Sequence, residues 1–400
     1  MKILYLSHVL PYPPTDGMRS TCYQILRHMS KFHDITLLCL AEKEEMKFFS
    51  EISKECAHVV GVPHRAPRSF FKRLKNVLFE KDPFCVLQFY SLEYEKRLEE
   101  LLEREKFDVV HILSINISNY AQTLKGIPTL FFPHDSVSLQ FYRNLPYEKN
   151  LLRRFYMGSQ WKKMLRYEKK ILPQFTHTVL VSQRDKDWIA QHSPKAEISI
   201  IPAGVDCDYF KPEENGPEDA VPSVLFRGVM NFPPNRDAVL YFYYHILPLI
   251  KKEIPKVRFY VVGKEPPPEI LRLNDSVTTF VEGLVPDLRP YIAKSSVNIC
   301  PMLSGSGIKN KILEAWAMGK AVVATSKACE GVAALHEKNI LIADAPETFA
   351  QSVIQLLRNS DLRREIGKNG RELVSQQYSW ESSIAKFKDL YNEIAPLRAD

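Results

Sequence analysis

The stretch Ser304-Gly305-Ser306-Gly307-Ile308-Lys309-Asn310-Lys311-Ile312-Leu313-Glu314-Ala315-Trp316-Ala317-Met318-Gly319-Lys320 follows closely on the β-rich run Val297-Asn298-Ile299-Cys300. A short apolar run, a loop of small residues, and a helix-length apolar period stopped by Gly319 read as strand, loop and helix, the repeating unit of a parallel sheet. The spacing predicts a helix over 308–318. Loop glycines let backbone approach a ligand closely, and the first helical turn presents free N–H groups to an anion. Lys309 and Lys311 are expected in that turn, where cations oppose the helix dipole unless an anion uses both; two solvated lysines are the plain alternative. Glu314 stands where a carboxylate can accept two hydrogen bonds from a ribose diol, against the plain reading of an exposed helix glutamate. Glu330, just before Gly331, follows the next strand and is a second acid for the same site.

Outward from this block, short β-rich runs alternate with amphipathic helix-length stretches almost end to end. Strands are expected at 3–7, 35–40, 58–62, 109–113, 129–132 and 178–181, then again at 223–226, 258–262, 278–281, 297–300, 321–324 and 340–342. The pattern predicts an α/β chain of two doubly wound, Rossmann-like domains. The loop chemistry of Lys211-Pro212-Glu213-Glu214-Asn215-Gly216-Pro217-Glu218-Asp219 marks the boundary region. The first domain is drawn over 1–204 with a returning helix in 380–400, and the second over 205–379. Four hundred residues suit two such domains.

With 45% apolar and 25% charged residues the composition is that of a globular protein. The opening Met1-Lys2-Ile3-Leu4-Tyr5-Leu6-Ser7-His8 is too short in apolar residues for a secretory signal, and the apolar run from Ala238 to Ile250 is too short to span a bilayer. Seven scattered cysteines without a Cys-x-x-Cys pair suit reduced structural thiols, hence a cytoplasmic location. The net charge of +7 points to no nucleic-acid partner by itself, but from Arg143 to Lys170 nine Lys/Arg stand against Glu148 and Glu168, with Phe155, Tyr156, Trp161 and Tyr167 interleaved. That stretch is either a peripheral docking surface for anionic lipid or a solvated helix face.

In an open α/β sheet ligands bind beyond the carboxyl ends of the strands. There the first loop, Pro11-Tyr12-Pro13-Pro14-Thr15-Asp16-Gly17-Met18-Arg19, places Gly17 at a helix start, as a phosphate-approaching backbone or as a turn glycine. His111 and His134 end predicted strands, and His134, followed by Asp135 and Ser136, is the better substrate contact. Asp206-Cys207-Asp208 and Asp185-Lys186-Asp187 are not read as metal sites, because one lies in a turn and the other on a helix where i and i+2 diverge. No metal and no cofactor is expected.

These residues together resemble retaining glycosyltransferase family 4, of the glycosyltransferase B fold. The resemblance runs almost the whole length. It rests on Ile3 to Gly17, on Ile201-Pro202-Ala203-Gly204-Val205-Asp206 with Phe210-Lys211-Pro212, on Gly305 to Gly331, and on Tyr378-Ser379-Trp380. It implies two domains facing across a cleft, a nucleoside-diphosphate sugar as co-substrate, and a saccharide or lipid-linked acceptor. Glu314 matches the second glutamate of the family's Glu-x7-Glu motif and is implied to hold the donor ribose, Gly17 to approach the diphosphate, and His134 to lie near the sugar and leaving phosphate. Gly228, Arg236, Gly283, Ser306, Gly307, Ile308 and Glu330 complete the implied donor set. The pattern is broken twice: Ser306 stands at the motif's first glutamate, and Val229 and Asn235 replace the usual Arg and Lys after the second domain's first strand. Lys309 and Lys311 are the expected substitutes, with Arg236 third. A polysaccharide-biosynthesis subgroup is similar here. A nucleotide-sugar 2-epimerase and a non-catalytic nucleotide- or polysaccharide-binding scaffold are the alternatives.

Overall fold

The computed structural model describes residues 1–14, 16–66, 69–148, 150–212, 221–305 and 307–395. Thr15, Lys149, Ser306 and most of the expected boundary stretch lie outside the described residues. The chain divides into two compact units, Met1–Ala203 with Ser383–Asp400, and Gly204–Ser382.

The first unit carries a seven-stranded parallel sheet in the order β3-β2-β1-β4-β5-β6-β7. Its strands are β1 (Lys2–Ser7), β2 (Asp34–Ala41), β3 (His58–Pro63), β4 (Val109–Ile112), β5 (Thr129–His134), β6 (His177–Leu180) and β7 (Ile198–Ile200). The second carries a six-stranded parallel sheet, β10-β9-β8-β11-β12-β13. Here the strands are β8 (Ser223–Arg227), β9 (Arg258–Val262), β10 (Thr279–Gly283), β11 (Val297–Cys300), β12 (Val322–Ala324) and β13 (Leu341–Ile342). Both sheets reverse strand order beside their first strand, so β1/β4 and β8/β11 are the switch points where such folds bind ligands. All twelve expected strands are present within a few residues. β7, a short half-buried strand, is additional.

Each sheet is sealed on both faces, which is why its strands read as unbroken apolar runs. Leu4, Leu6, Leu38, Val110, Ile112, Phe131 and Leu180 build one core; Val224, Phe226, Phe259, Val261, Ile299, Trp316 and Val323 build the other. The Trp380–Ile394 helix packs on the first unit: Tyr391 Oη lies 3.0 Å from Tyr5 Oη and 2.6 Å from His111 Nδ1.

Candidate functional site

The expected loop and helix after β11 exist, with one correction. The helix spans Asn310–Ala317 rather than 308–318, because Gly307 at φ 72° and an extended Lys309 delay its start. Lys309 is therefore the cap residue, and Lys311 alone of the two lies in the first turn. Gly319, at φ 66°, follows the helix end as the left-handed residue that stops it.

Three cations converge beyond β8 and β11. Arg227 ends β8 and is buried. Its Nη1 pairs with Glu314 Oε2, its Nη2 donates 2.5 Å to the Lys311 carbonyl, and its Nε is buried with no partner among the described residues. Burial pushes the guanidinium down to about 9, so it stays charged at neutral pH. Lys311 Nζ donates 2.7 Å to Asn235 Oδ1 and stands 4.3 Å from the Phe226 ring centroid. Burial first, and then the charges of Arg227 and Lys309, lower this ammonium to about 8, with the Cys300 thiol acting in the opposite sense. Lys309 is buried and donates 2.8 Å to the Gly307 carbonyl.

The loops around these cations need glycine for space. A Cβ on Gly228 would come within 2.7 Å of Asn235 Nδ2, which itself donates 3.0 Å to the Val229 carbonyl. Asn235 thus stands where a lysine was anticipated, and Lys311 brings its ammonium to that same side chain. Ile308 packs beneath the loop, 3.1 Å from where a Gly331 Cβ would lie.

The remaining expected contacts are placed as follows. Arg236 is engaged by Asp237 at 2.9 Å and Glu269 at 3.3 Å, so its charge is already answered. Glu330 lies 3.6 Å from Lys327 Nζ. Gly283, the last residue of β10 and at φ 62°, accepts at 2.8 Å from the N–H of Gly263, which directly follows β9. Ser306 is outside the described residues. Glu314 Oε1 accepts no hydrogen bond among the described residues, and the side chain is 20% exposed.

In the first unit, His8 follows the end of β1, His111 lies one residue before the end of β4, and His134 ends β5. His134 adopts φ 71°, a conformation that costs a non-glycine residue roughly 1–2 kcal/mol. Its ring lies 4.2 Å from Phe132 and its Nε2 is buried without a partner among the described residues. Burial, reinforced by His8, holds its imidazole neutral, with a value of about 3. The turn that follows is pinned from behind: Ser136 N donates 2.9 Å to Asp185, and Ser138 N donates 3.1 Å to the buried Glu168. His111 is fully buried against Tyr391 and serves packing of the terminal helix. Gly17 opens the Gly17–Met29 helix, capped by Asp16, and open space lies where its Cβ would be.

Asp185 is thus a turn-holding residue, and Asp206 accepts from Asp208 N and Tyr209 N in a turn. Among the described residues no group of three or more His, Cys, Asp or Glu gathers as a metal site. Arg227, Glu168 and His8 went unassigned in the sequence reading. One local signal marks Arg227, a charged residue ending the buried run Val224-Leu225-Phe226, although its partner Glu314 is distant in sequence.

Two family models match the chain, "Glycosyltransferase Family 4" over residues 15–209 and "Glycosyl transferases group 1" over 221–359. An uncharacterized 44.6 kDa protein in the cps region of Klebsiella pneumoniae is 22% identical over 98% of this chain and 99% of its own length. A GDP-mannose-dependent alpha-(1-6)-phosphatidylinositol monomannoside mannosyltransferase of Mycobacterium tuberculosis is 26% identical over 53% of this chain and 60% of its own. Sucrose-phosphate synthase from Thermosynechococcus elongatus shares the fold at a TM-score of 0.73 and 17% identity, over 98% of this chain and 99% of its own. With sheet order, cation-lined loop and both models in agreement, the chain is a glycosyltransferase of the glycosyltransferase B fold, related to the family 4 and group 1 transferases, that moves sugar from a nucleotide-sugar donor to an acceptor.

Proposed function

We propose that the chain is a retaining hexosyltransferase of cell-surface polysaccharide biosynthesis. It takes a hexose from a nucleoside-diphosphate sugar and passes it to a saccharide or lipid-linked acceptor at the cytoplasmic face of a membrane. The observation that carries this reading is the gathering of the buried cations Arg227, Lys309 and Lys311 at the ends of β8 and β11, with Glu314 paired to Arg227. Clustered buried cations are costly unless an anion completes them. A diphosphate carries the needed charge, and its negative charge grows as the glycosyl bond breaks, so the cluster favours the transition state over the bound donor.

Glu314 divides its two oxygens, Oε2 to Arg227 and Oε1 to the donor ribose. Lys309 and Lys311 meet the phosphates, with the Gly307 and Gly228 loops bringing backbone close. His134, neutral and with Nε2 unpartnered, acts as a hydrogen-bonding group beside sugar and phosphate, not as a cation. Retention follows from attack of the acceptor on the face the phosphate leaves, the phosphate oxygen taking the acceptor's proton. Support for the polysaccharide setting comes from the resemblance of the pattern at Ser306, Val229 and Asn235 to a polysaccharide-biosynthesis subgroup and from the full-length likeness to a cps-region protein.

The test is a thermal-shift screen of UDP, GDP, TDP, CDP and ADP with their sugar conjugates, followed by transfer assays. One base at about 100 times its dissociation constant should stabilise the protein by about 2.7 kcal/mol. The anomeric configuration of the product, read by NMR, tests retention. Nucleotide sugar consumed without acceptor would move the chain to the epimerases, and no shift with any nucleotide would make it a scaffold.

A further inference from the structure

Two neighbouring helices of the first unit turn their apolar sides outward. In the Phe70–Phe79 helix, Phe70, Leu74 and Leu78 repeat at i, i+4 and i+8, with Phe71 alongside. The side facing the protein is polar: Asn76, the only buried residue of this helix, donates 2.9 Å to the Asp82 carbonyl and accepts 2.8 Å from Gln160, and its own carbonyl takes Lys163 Nζ at 2.5 Å. At about 100° per residue, Leu74 lies nearly opposite Asn76. Ordinary surface helices have the reverse arrangement.

The Leu151–Ile171 helix, to which Gln160 and Lys163 belong, does the same at its start. It buries Gln160, Lys163, Met164, Tyr167, Glu168 and Ile171, leaves Leu151 and Phe155 on the other side, and leaves Leu152 exposed at its flank. Phe70, Phe71, Leu78, Leu151, Leu152 and Phe155 are between 62% and 82% exposed. Onward from Phe155 at helical spacing, the outer line becomes exposed Lys162, Arg166 and Lys169. Apolar side chains thus project at one end of the helix and cations run along the rest. Lys163, Trp161 and Tyr167, which the sequence grouped with this basic stretch, turn out to serve packing: Lys163 and Tyr167 are buried, and Trp161 lies 5.4 Å from the Tyr142 ring.

We infer that this face docks on an anionic phospholipid bilayer, with the Phe70–Phe79 helix and the start of the Leu151–Ile171 helix entering the acyl boundary and Lys162, Arg166 and Lys169 meeting the headgroups. Charge complementarity selects this occupant. An apolar patch of this extent bordered by the cations Lys162, Arg166 and Lys169, with the neighbouring Glu80 answered by Lys75, fits a surface that is apolar inside and anionic outside. A second copy of the chain would bring the same cations together.

The experiment is vesicle co-sedimentation of the full chain, with phosphatidylcholine alone and with about 30% phosphatidylglycerol, at low and high salt. Binding is expected to anionic vesicles and to fall with salt. Replacing Lys162, Arg166 and Lys169 by Gln should weaken it about fivefold per charge, about a hundredfold in all. Phe70→Ser with Phe71→Ser should abolish what binding high salt leaves. Both variants change exposed side chains only, so they should keep the wild-type unfolding midpoint and nucleotide-induced shift, which separates this docking from the donor assignment. Equal binding to neutral vesicles, no binding to either, or a dimer in light scattering that Phe71→Ser disperses would each overturn the inference.

Discussion

Lys311 Nζ and Asn235 Oδ1 lie 2.7 Å apart, so the ammonium that the loop after β8 lacks is delivered by the helix after β11. The charge has changed its position in the chain while keeping its place in the fold. Lys311→Met should therefore weaken diphosphate binding by about one to two orders of magnitude, the worth of a lost charge-assisted contact. It should leave the nucleotide-free protein equally or more stable, since a costly buried charge goes. Asn235→Lys added to Lys311→Met should restore part of the affinity. Isothermal titration with the preferred nucleoside diphosphate measures both. Failure of the second change to recover any binding would separate the two positions.

The same ammonium sets a pH signature. Its folded value, about 8, lies below the ordinary 10.5. Between the two the unfolded chain binds the proton and the folded chain does not, so this group adds stability as pH rises from 8 towards 10.5. Diphosphate binding needs the charged form and should fall over the same window. Opposite slopes for stability and affinity above pH 8, both absent in Lys311→Met, are the expected result.

Arg227 and Glu314 form the second coupled pair, one buried and one partly exposed. Glu314→Ala strips the partner from a buried guanidinium. It should cost about 1–3 kcal/mol of stability, reduced from the fully buried case by solvent at Glu314. Loss of nucleotide binding in that variant alone would confound ribose contact with unfolding. Arg227→Met combined with Glu314→Gln removes both charges together and should recover most of the midpoint while leaving the nucleotide shift diminished. A double variant that binds nucleotide like wild type would remove Glu314 from the donor site.

His134 holds φ 71° although it carries a side chain. Glycine at this position relaxes the backbone, and a β-branched residue strains it further. His134→Gly should keep its unfolding midpoint near wild type and His134→Val should lose more than about 1 kcal/mol, yet both should lower sugar transfer by about a hundredfold. Because the imidazole is neutral down to about pH 3, activity between pH 5 and 8 should show no limb from its protonation.

The sheets were legible because parallel strands covered on both faces are apolar throughout, and turn residues bound them. β7 escaped because Ile198-Ser199-Ile200 is three residues of an edge strand, half-buried and too short for a pattern. In the site, Lys309, Lys311 and Glu314 were readable from one contiguous block. Arg227 was not assigned, since its meaning depends on Glu314, 87 positions away. Glu168 was the hardest: inside a lysine- and arginine-rich helix it reads as a surface acid, and only the fold turns it inward.

That buried Glu168 gives the remaining prediction. Burial raises its carboxyl from the ordinary 4.5 to about 7, against the opposing hydrogen bonds from Ser138 and Ser136. Between these values the folded chain keeps the proton and the unfolded chain loses it, so this group lowers stability as pH rises from 4.5 to 7 and holds constant above. The full cost is about 3 kcal/mol. His8, His111 and His134, each held neutral by burial, act in the opposite sense below pH 6.5, so the wild-type curve alone cannot isolate Glu168. The difference between Glu168→Gln and wild type does. Gln cannot ionise, and the serine hydroxyls can turn to accept from its amide, so the variant's advantage should grow from pH 4.5 to 7 and then level off. Because Glu168 fixes the turn behind His134 and touches no reacting atom, transfer by the variant should stay within a few-fold of wild type. A difference curve that is flat with pH would mean the folded chain carries an ionised Glu168.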